Sequence, residues 1–220
     1  MKVLQILPQL NIGGVERGTL DLSKALIHKG HQSFVISGGG VLVDELTQCG
    51  AKHYEIPVHI KSLRTLSLAK RLSETISSID PDIVHVRSRM PAWVNYRAFK
   101  MLQKKPLLVS TFHGLYSFPI YSKVMSFVDH SIAISKTVER YILENYKLDK
   151  GDITVIPRGC DPLEFNNEVI NPVDKANIIE EFPQIVGKKV LTIPGRITKW
   201  KGVAEFIDLL SLLDDNYHGL

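Results

Sequence analysis

Apolar and polar positions follow two alternating periods along this chain. Residues 3–7, 33–37, 53–56, 83–86, 107–112, 131–134 and 153–156 are short apolar or β-branched runs, the signal of buried strands. Between them the period lengthens to that of a helix. Over 15–29, Val15, Thr19, Leu22 and Leu26 share a face, and over 66–79 so do Leu68, Leu72, Ile76 and Ile79. Further helices are expected at 43–49, 92–103, 121–128 and 136–145, the last with Ser135 placed to cap it. A Ser135–Lys136 nucleophile is the less favoured reading of that pair. Strand and helix alternating through short connections imply right-handed crossovers. The expected fold is therefore α/β, a Rossmann-like doubly wound parallel sheet covered on both faces.

The pattern changes at 157–171, where Pro, Gly and Asn punctuate the chain. A short helix at most is expected at 177–182. A new strand follows at 189–193, a turn at Pro194-Gly195, and an amphipathic segment at 203–213. This divides the chain into a first domain at 1–165, a linker at 166–187, and at 188–220 the first βα unit of an incomplete second Rossmann-like domain. One strand and one helix cannot cover both faces of a sheet, so 190–193 is expected to be an unpaired edge that frays or pairs with another chain.

Composition narrows the class. With 220 residues, 44% hydrophobic and 23% charged, the chain can bury a core and is not disordered. A net charge of +4, from 27 Lys+Arg against 23 Asp+Glu, is too mild to imply nucleic acid. From Lys61 to Lys105, however, Lys and Arg greatly outnumber Glu74, Asp80 and Asp82, which predicts an anionic partner. Cys49 and Cys160 have neither disulfide-framework nor metal-site spacing and read as reduced, buried thiols. The histidines lack metal-ligand spacing, so no metal is proposed. With no apolar run approaching a membrane span and no leader pattern, the protein is expected in the cytoplasm.

In parallel sheets, ligands bind beyond the carboxyl ends of the strands. After the first strand, Gly13 and Gly14 let backbone N–H groups approach an anion at a helix start. The segment is neither GxGxxG nor a P-loop. The second strand ends in Gly38-Gly39-Gly40 rather than in an acid that would hold a ribose hydroxyl, which argues against NAD. Arg87 and Arg89 follow the strand at 83–86; they could point together at an acceptor phosphate or carboxylate, or simply be solvated. His113 follows the strand at 107–112 and is either a cleft residue or a hydrogen-bonded filler. Over 190–202 a strand, a turn and a helix start carry Arg196, Lys199 and Lys201, the pattern of a phosphate site.

Six segments, in order, resemble the GT-B glycosyltransferases of family 4. They are Asn11-Ile12-Gly13-Gly14-Val15-Glu16-Arg17, Asp82-Ile83-Val84-His85, Thr111-Phe112-His113-Gly114, Ile132-Ala133-Ile134-Ser135, Val155-Ile156-Pro157-Arg158-Gly159-Cys160-Asp161, and Pro194-Gly195-Arg196 through Lys201-Gly202. The resemblance implies two Rossmann-like domains facing a cleft and metal-independent transfer, with retention, from a nucleotide sugar such as a UDP- or GDP-sugar. It implies that Gly13 and Gly14 amides, Arg196 and Lys201 hold the donor diphosphate, and that His113 lies beside the transferred sugar. The catalytic set is then His113, Arg196 and Lys201, with Arg87 and Arg89 as acceptor-side candidates and no cofactor. Glu16 and Arg17 match the end of the family's glycine loop or only begin the helix. Arg158 stands where the family usually has Asn, and Arg87 where a second His is common. The family's paired glutamates fall beyond residue 220, so the chain reads as a fragment, inactive alone. The function expected is cell-envelope polysaccharide, lipopolysaccharide or glycolipid assembly, with a glycan or lipid acceptor and peripheral contact with an anionic membrane. The alternatives are a non-catalytic acceptor-binding or membrane-docking module and a GT-B sugar-nucleotide epimerase.

Overall fold

A computed structural model of the chain describes residues 1–60, 63–116, 119–162, 171–195 and 197–220. Contacts divide it into two units, Met1–Arg158 and Gly159–Leu220. The expected boundary at 165 and the linker up to 170 fall on residues outside this description.

The first unit is a seven-stranded parallel sheet. Its strands are β1 (Lys2–Ile6), β2 (Gln32–Ser37), β3 (Lys52–Glu55), β4 (Ile83–Val86), β5 (Leu107–Phe112), β6 (His130–Ala133) and β7 (Ile153–Val155), in the spatial order β3-β2-β1-β4-β5-β6-β7. The order reverses between β1 and β4, which pair with Val3 opposite Ile83 and Ile6 opposite Val86. At such a reversal neighbouring connections leave in opposite directions and open a crevice above the carboxyl ends. Helices α1 (Gly14–His28), α2 (Val43–Gln48), α3 (Ala69–Ile79), α4 (Arg89–Phe99), α5 (Pro119–Ser122) and α6 (Lys136–Asn145) cross between strands. One core packs Leu4, Ile36, Leu72, Ile76, Val84 and Phe112; a second, smaller one packs Leu7, Leu10, Leu20, Val35 and Leu46. The two cores lie on opposite faces, since successive strand residues such as Val35 and Ile36 point opposite ways.

Several boundaries move for local reasons. The helix expected at 92–103 starts at Arg89, because Ser88 is extended and Pro91 fits a first turn. The segment at 121–128 is only α5 followed by a 3-10 turn, Lys123–Ser126. Leu63–Leu68 is also 3-10, so α3 begins later than its periodicity suggests. Ser135 is the N-cap of α6, its Oγ accepting from the Val138 amide at 3.2 Å. Both cysteines are free thiols, but the expectation that both are buried is wrong: Cys49 is half-buried on a helix end and Cys160 is exposed.

The second unit contains α7 (Pro172–Glu181), β8 (Lys189–Leu191), α8 (Val203–Ser211) and β9 (Tyr217–Gly219). Asn171 accepts from the Val173 amide and Pro172 opens the helix, which makes α7 longer than the short segment expected. The strand expected to be unpaired is paired: β8 lies parallel to β9, Lys189 opposite Tyr217 and Leu191 opposite Gly219. The cause is a turn at 214–216, where Asp214 Oδ1 accepts from the Asn216 amide and the Asn216 carbonyl accepts from the Lys189 amide at 2.7 Å. Gly219 leaves room there for α8, since a Cβ would push aside the end of the Leu210 side chain and press on Phe206. None of the described residues of this unit is buried.

Candidate functional site

The site starts from the loop between β1 and α1. Its shape is held by the loop after β2, not by a ligand: the Leu10 amide donates to the Gly39 carbonyl at 2.7 Å and the Leu42 amide to the Leu10 carbonyl at 2.8 Å. Gly40, at φ 139°, sits against the Leu10 backbone with no room for a Cβ. The glycine triplet that replaces a ribose-binding acid is therefore the wall behind the Gly13-Gly14 turn.

Gly13 and Gly14 are not needed for a left-handed backbone; Gly13 is extended, at φ 172°, and Gly14 begins the helix. They make room. A Cβ on Gly13 would collide with the Glu16 carboxylate, and one on Gly14 would lie 2.6 Å from Arg158 Nη1. One helical turn later, a Cβ on Gly18 would lie 3.3 Å from Arg87 Nη2 and 3.6 Å from Arg158 Nη2. Gly14 and Gly18 form a bare strip along α1 on which two guanidinium groups rest.

Arg87 reaches this strip from the end of β4. It is buried, with 6% of its surface exposed, and its Nη1 donates to Gln5 Oε1 at 2.7 Å. Gln5 in turn donates to the Thr19 carbonyl and to Ser23 Oγ, which also accepts from Ser33 Oγ. This satisfied polar chain inside the sheet–helix interface fixes Arg87 in place. Burial, and then Arg158, bring the Arg87 pKa down to about 10, against the pull of Glu16 and Asp21. It remains a cation at neutral pH.

His113 sits at the end of β5. Arg158 Nη2 is 3.1 Å from His113 Nδ1, and Arg158 Nη1 donates to the Gly14 carbonyl. Burial first, then Arg87 and Arg158, lower the His113 pKa to about 3, so the ring is neutral. His85, one strand over, donates or accepts at Thr111 Oγ1 at 2.7 Å and is likewise held well below its ordinary range by burial, Arg87 and His113. Among the described residues two buried nitrogens near the cluster have no partner, Arg87 Nε and His113 Nε2.

The structure thus gathers Gly13, Gly14, Arg87 and His113 at the carboxyl end of the β1/β4 crevice, and adds Arg158, which had been marked only as a departure from the family. The signal that could have found Arg158 is its place directly after β7. Gly18 was also missed; its spacing of four from Gly14 puts both on one helix face. Arg89 does not join Arg87. Its guanidinium stands over Tyr116 at 4.9 Å and Tyr121 at 5.4 Å, with Nη1 donating to Ser122 Oγ at 3.4 Å. The basic stretch from Lys61 to Lys105 is likewise not one surface, since Arg87 is buried and Lys104 is paired with Asp80 at 2.7 Å. In the second unit, Lys201 closes a 3-10 turn before α8, and its stem would lie 3.8 Å from a Cβ placed on Gly195; Arg196 lies outside the described residues. No group of three His, Cys, Asp or Glu suited to a metal occurs among the described residues. None of their helices is long and apolar enough to cross a membrane.

The profile of Glycosyltransferase Family 4 matches residues 12–163. An uncharacterized glycosyltransferase of Methanocaldococcus jannaschii is 32% identical over 155 residues, 62% of this chain and 38% of its own length. A glycosyltransferase structure from Rickettsia africae is 35% identical and superposes with a TM-score of 0.79 over 97% of this chain and 57% of that one. HepE of Anabaena, solved in complex with UDP and glucose, has the same fold at 17% identity, with a TM-score of 0.79 over 100% of this chain and 60% of that one. The chain thus spans less than two thirds of the length of each of these relatives.

Proposed function

The chain belongs to glycosyltransferase family 4, and on that premise we propose that it is the acceptor-side domain, with part of the donor-side domain, of an enzyme that moves a sugar from a nucleotide diphosphate sugar to a glycan or lipid acceptor. The observation that carries this reading is the meeting of the Gly13-Gly14 turn, Arg87, His113 and Arg158 at the carboxyl end of the β1/β4 crevice. That HepE was solved with UDP and glucose supports the donor class.

In the reaction, the bond between the anomeric carbon and the diphosphate oxygen breaks and the diphosphate leaves with the electron pair. The acceptor oxygen bonds to the anomeric carbon on that same face, so the configuration there is retained, and the acceptor proton passes to the departing diphosphate oxygen. Negative charge grows on the diphosphate, and fixed dipoles and cations stabilise it without reorganisation. The α1 N-terminus with the Gly13 and Gly14 amides supplies one side of that field. In the family resemblance Arg196 and Lys201 are the cations that meet the same charge, which would make transfer independent of a metal ion. His113, neutral across the working pH range, positions the sugar and does not act as the proton carrier. The proposed setting is cell-envelope glycoconjugate assembly on the cytoplasmic side.

The test uses a protein of full family length. Arg196→Ala and Lys201→Ala each remove one cation from the departing diphosphate, and turnover should fall on the order of 100-fold. Rates near those of the parent would reject the assignment.

Peripheral membrane contact is supported by one local feature. Leu115 is 60% and Ile120 90% exposed on the connection after β5, and Lys123 follows at 6.0 Å from the Phe127 ring. Apolar side chains beside a cation suit an anionic bilayer surface. Co-sedimentation with anionic but not neutral vesicles, reduced in Ile120→Asp, is the expected outcome; equal binding to both would refute it.

A further inference from the structure

The cluster on the α1 strip holds hydrogen atoms with nowhere to go. A guanidinium can only donate, so in the contact at 3.1 Å Arg158 Nη2 donates and His113 Nδ1 accepts. The single proton of the neutral ring is then on Nε2. That N–H is buried and has no acceptor, and the same is true of Arg87 Nε–H. Leaving a buried donor unmet is unfavourable, and two in one cluster call for an acceptor from outside.

The charge points the same way. Arg87 and Arg158 both bring an Nη2 to Gly18, and the nearby acids act on Arg87 through space, with no ion pair to it among the described residues. Glu16 folds back over Gly13, and Asp21 is paired with Arg17 at 3.3 Å. A group that meets these donors accepts hydrogen bonds, and the two guanidinium groups favour one that also carries negative charge, as a carboxylate or phosphate does.

Position separates this need from the donor diphosphate. Amides at a helix start project ahead of the helix, whereas the Gly14 carbonyl that receives Arg158 points along it. Gly18 lies one turn further on, so the arginines flank the first turn of α1 instead of standing in front of its amides. Arg158 is the exposed member, so it can turn aside to admit a group and then bind it.

We propose that Arg87, Arg158 and His113 form an oxyanion subsite that selects an acidic sugar, bearing a carboxylate or phosphomonoester, as a substrate of the transfer. This rests on the glycosyltransferase reading above and adds a substrate class to it. Arg87 and His113 Nε2 meet the anion, and Arg158 both fixes the ring tautomer and closes on the bound group.

The experiment reads binding to the 220-residue chain without transfer, so an inactive enzyme leaves it intact. Nitrogen NMR of the histidine rings, with His113 assigned through His113→Gln, should report a neutral ring protonated on Nε2. D-glucuronate and glucose 6-phosphate are titrated separately, with glucose as the neutral control, and the stronger of the two acids identifies the anion. One or both should shift the His113 Nε2–H signal while glucose does not. Arg158→Gln, at an exposed position, should weaken that binding at least about tenfold with the chain still folded. UDP added afterwards should not displace the acid. A ring protonated on Nδ1, no shift with either acid, an unchanged affinity in Arg158→Gln, or displacement by UDP would each overturn the proposal.

Discussion

The two units obey the same alternation of strand and helix but differ in what they bury. In the first, every strand from β1 to β6 except the edge strand β3 places side chains in a closed interior, and Leu4, Ile6, Ile36 and Phe112 are fully shielded from water. In the second, none of the described residues is buried, although α8 is apolar along most of its length; Ile207 on it is 60% exposed and Leu212, just after it, 82%. A hydrophobic pattern therefore specifies which face an element will bury, but the stabilisation appears only when another layer covers that face. The difference also locates function. Arg87 can be held as a buried cation only because a finished core and a satisfied polar chain surround it.

Hydrogen exchange tests this contrast most directly. Amides of β1 and β4 should open only with global unfolding, while those of β8 and β9 should open locally, giving protection factors about a thousandfold apart. Equal protection would mean that the second unit is stabilised by something other than its own packing. Truncation gives the next largest effect. Phe112→Ala should cost about 3–5 kcal/mol in denaturant unfolding, against less than about 0.5 kcal/mol for Leu212→Ala. A large loss at Leu212 would show that its face is covered in solution.

Acid should weaken the first unit selectively. His113 has its pKa lowered from the usual 6.5 to about 3, and His85 is also lowered, so the unfolded chain takes up protons that the folded one refuses. Their contribution is complete above pH 6.5 and is lost as pH falls toward 3. His113→Gln should flatten that part of the stability profile; an unchanged slope would place the proton uptake elsewhere. The smallest effect compares two helix caps. Ser135→Ala should lower global stability by about 1 kcal/mol, whereas Asn171→Ala, capping a helix that buries nothing, should leave the main transition in place.

Most of the first unit was legible because periodicity and topology reinforce each other. Strand runs such as 83–86 and 107–112 are flanked by helices with one apolar face, and the parallel order then follows from crossover handedness. The return of the chain as β9 was not legible, since Tyr217, His218 and Gly219 make no hydrophobic run and are placed by the turn before them. At the site, position after a strand correctly marked Arg87 and His113. It also marked Arg89, because sequence adjacency says nothing about which aromatic rings a guanidinium will find; Tyr116 and Tyr121 come from another connection. Arg158 was the reverse case. A departure from a family pattern looked like a loss of detail, yet it supplies the partner that sets the histidine tautomer.

Arg158 is also the last residue of the first unit, and Gly159 begins the second. The side chain that grips the Gly14 carbonyl and His113 Nδ1 is thus mounted on the joint of the molecule. Its two contacts reach back 144 and 45 residues along the chain, so one side chain fastens the end of the first unit to the start of its first helix and to the tip of β5.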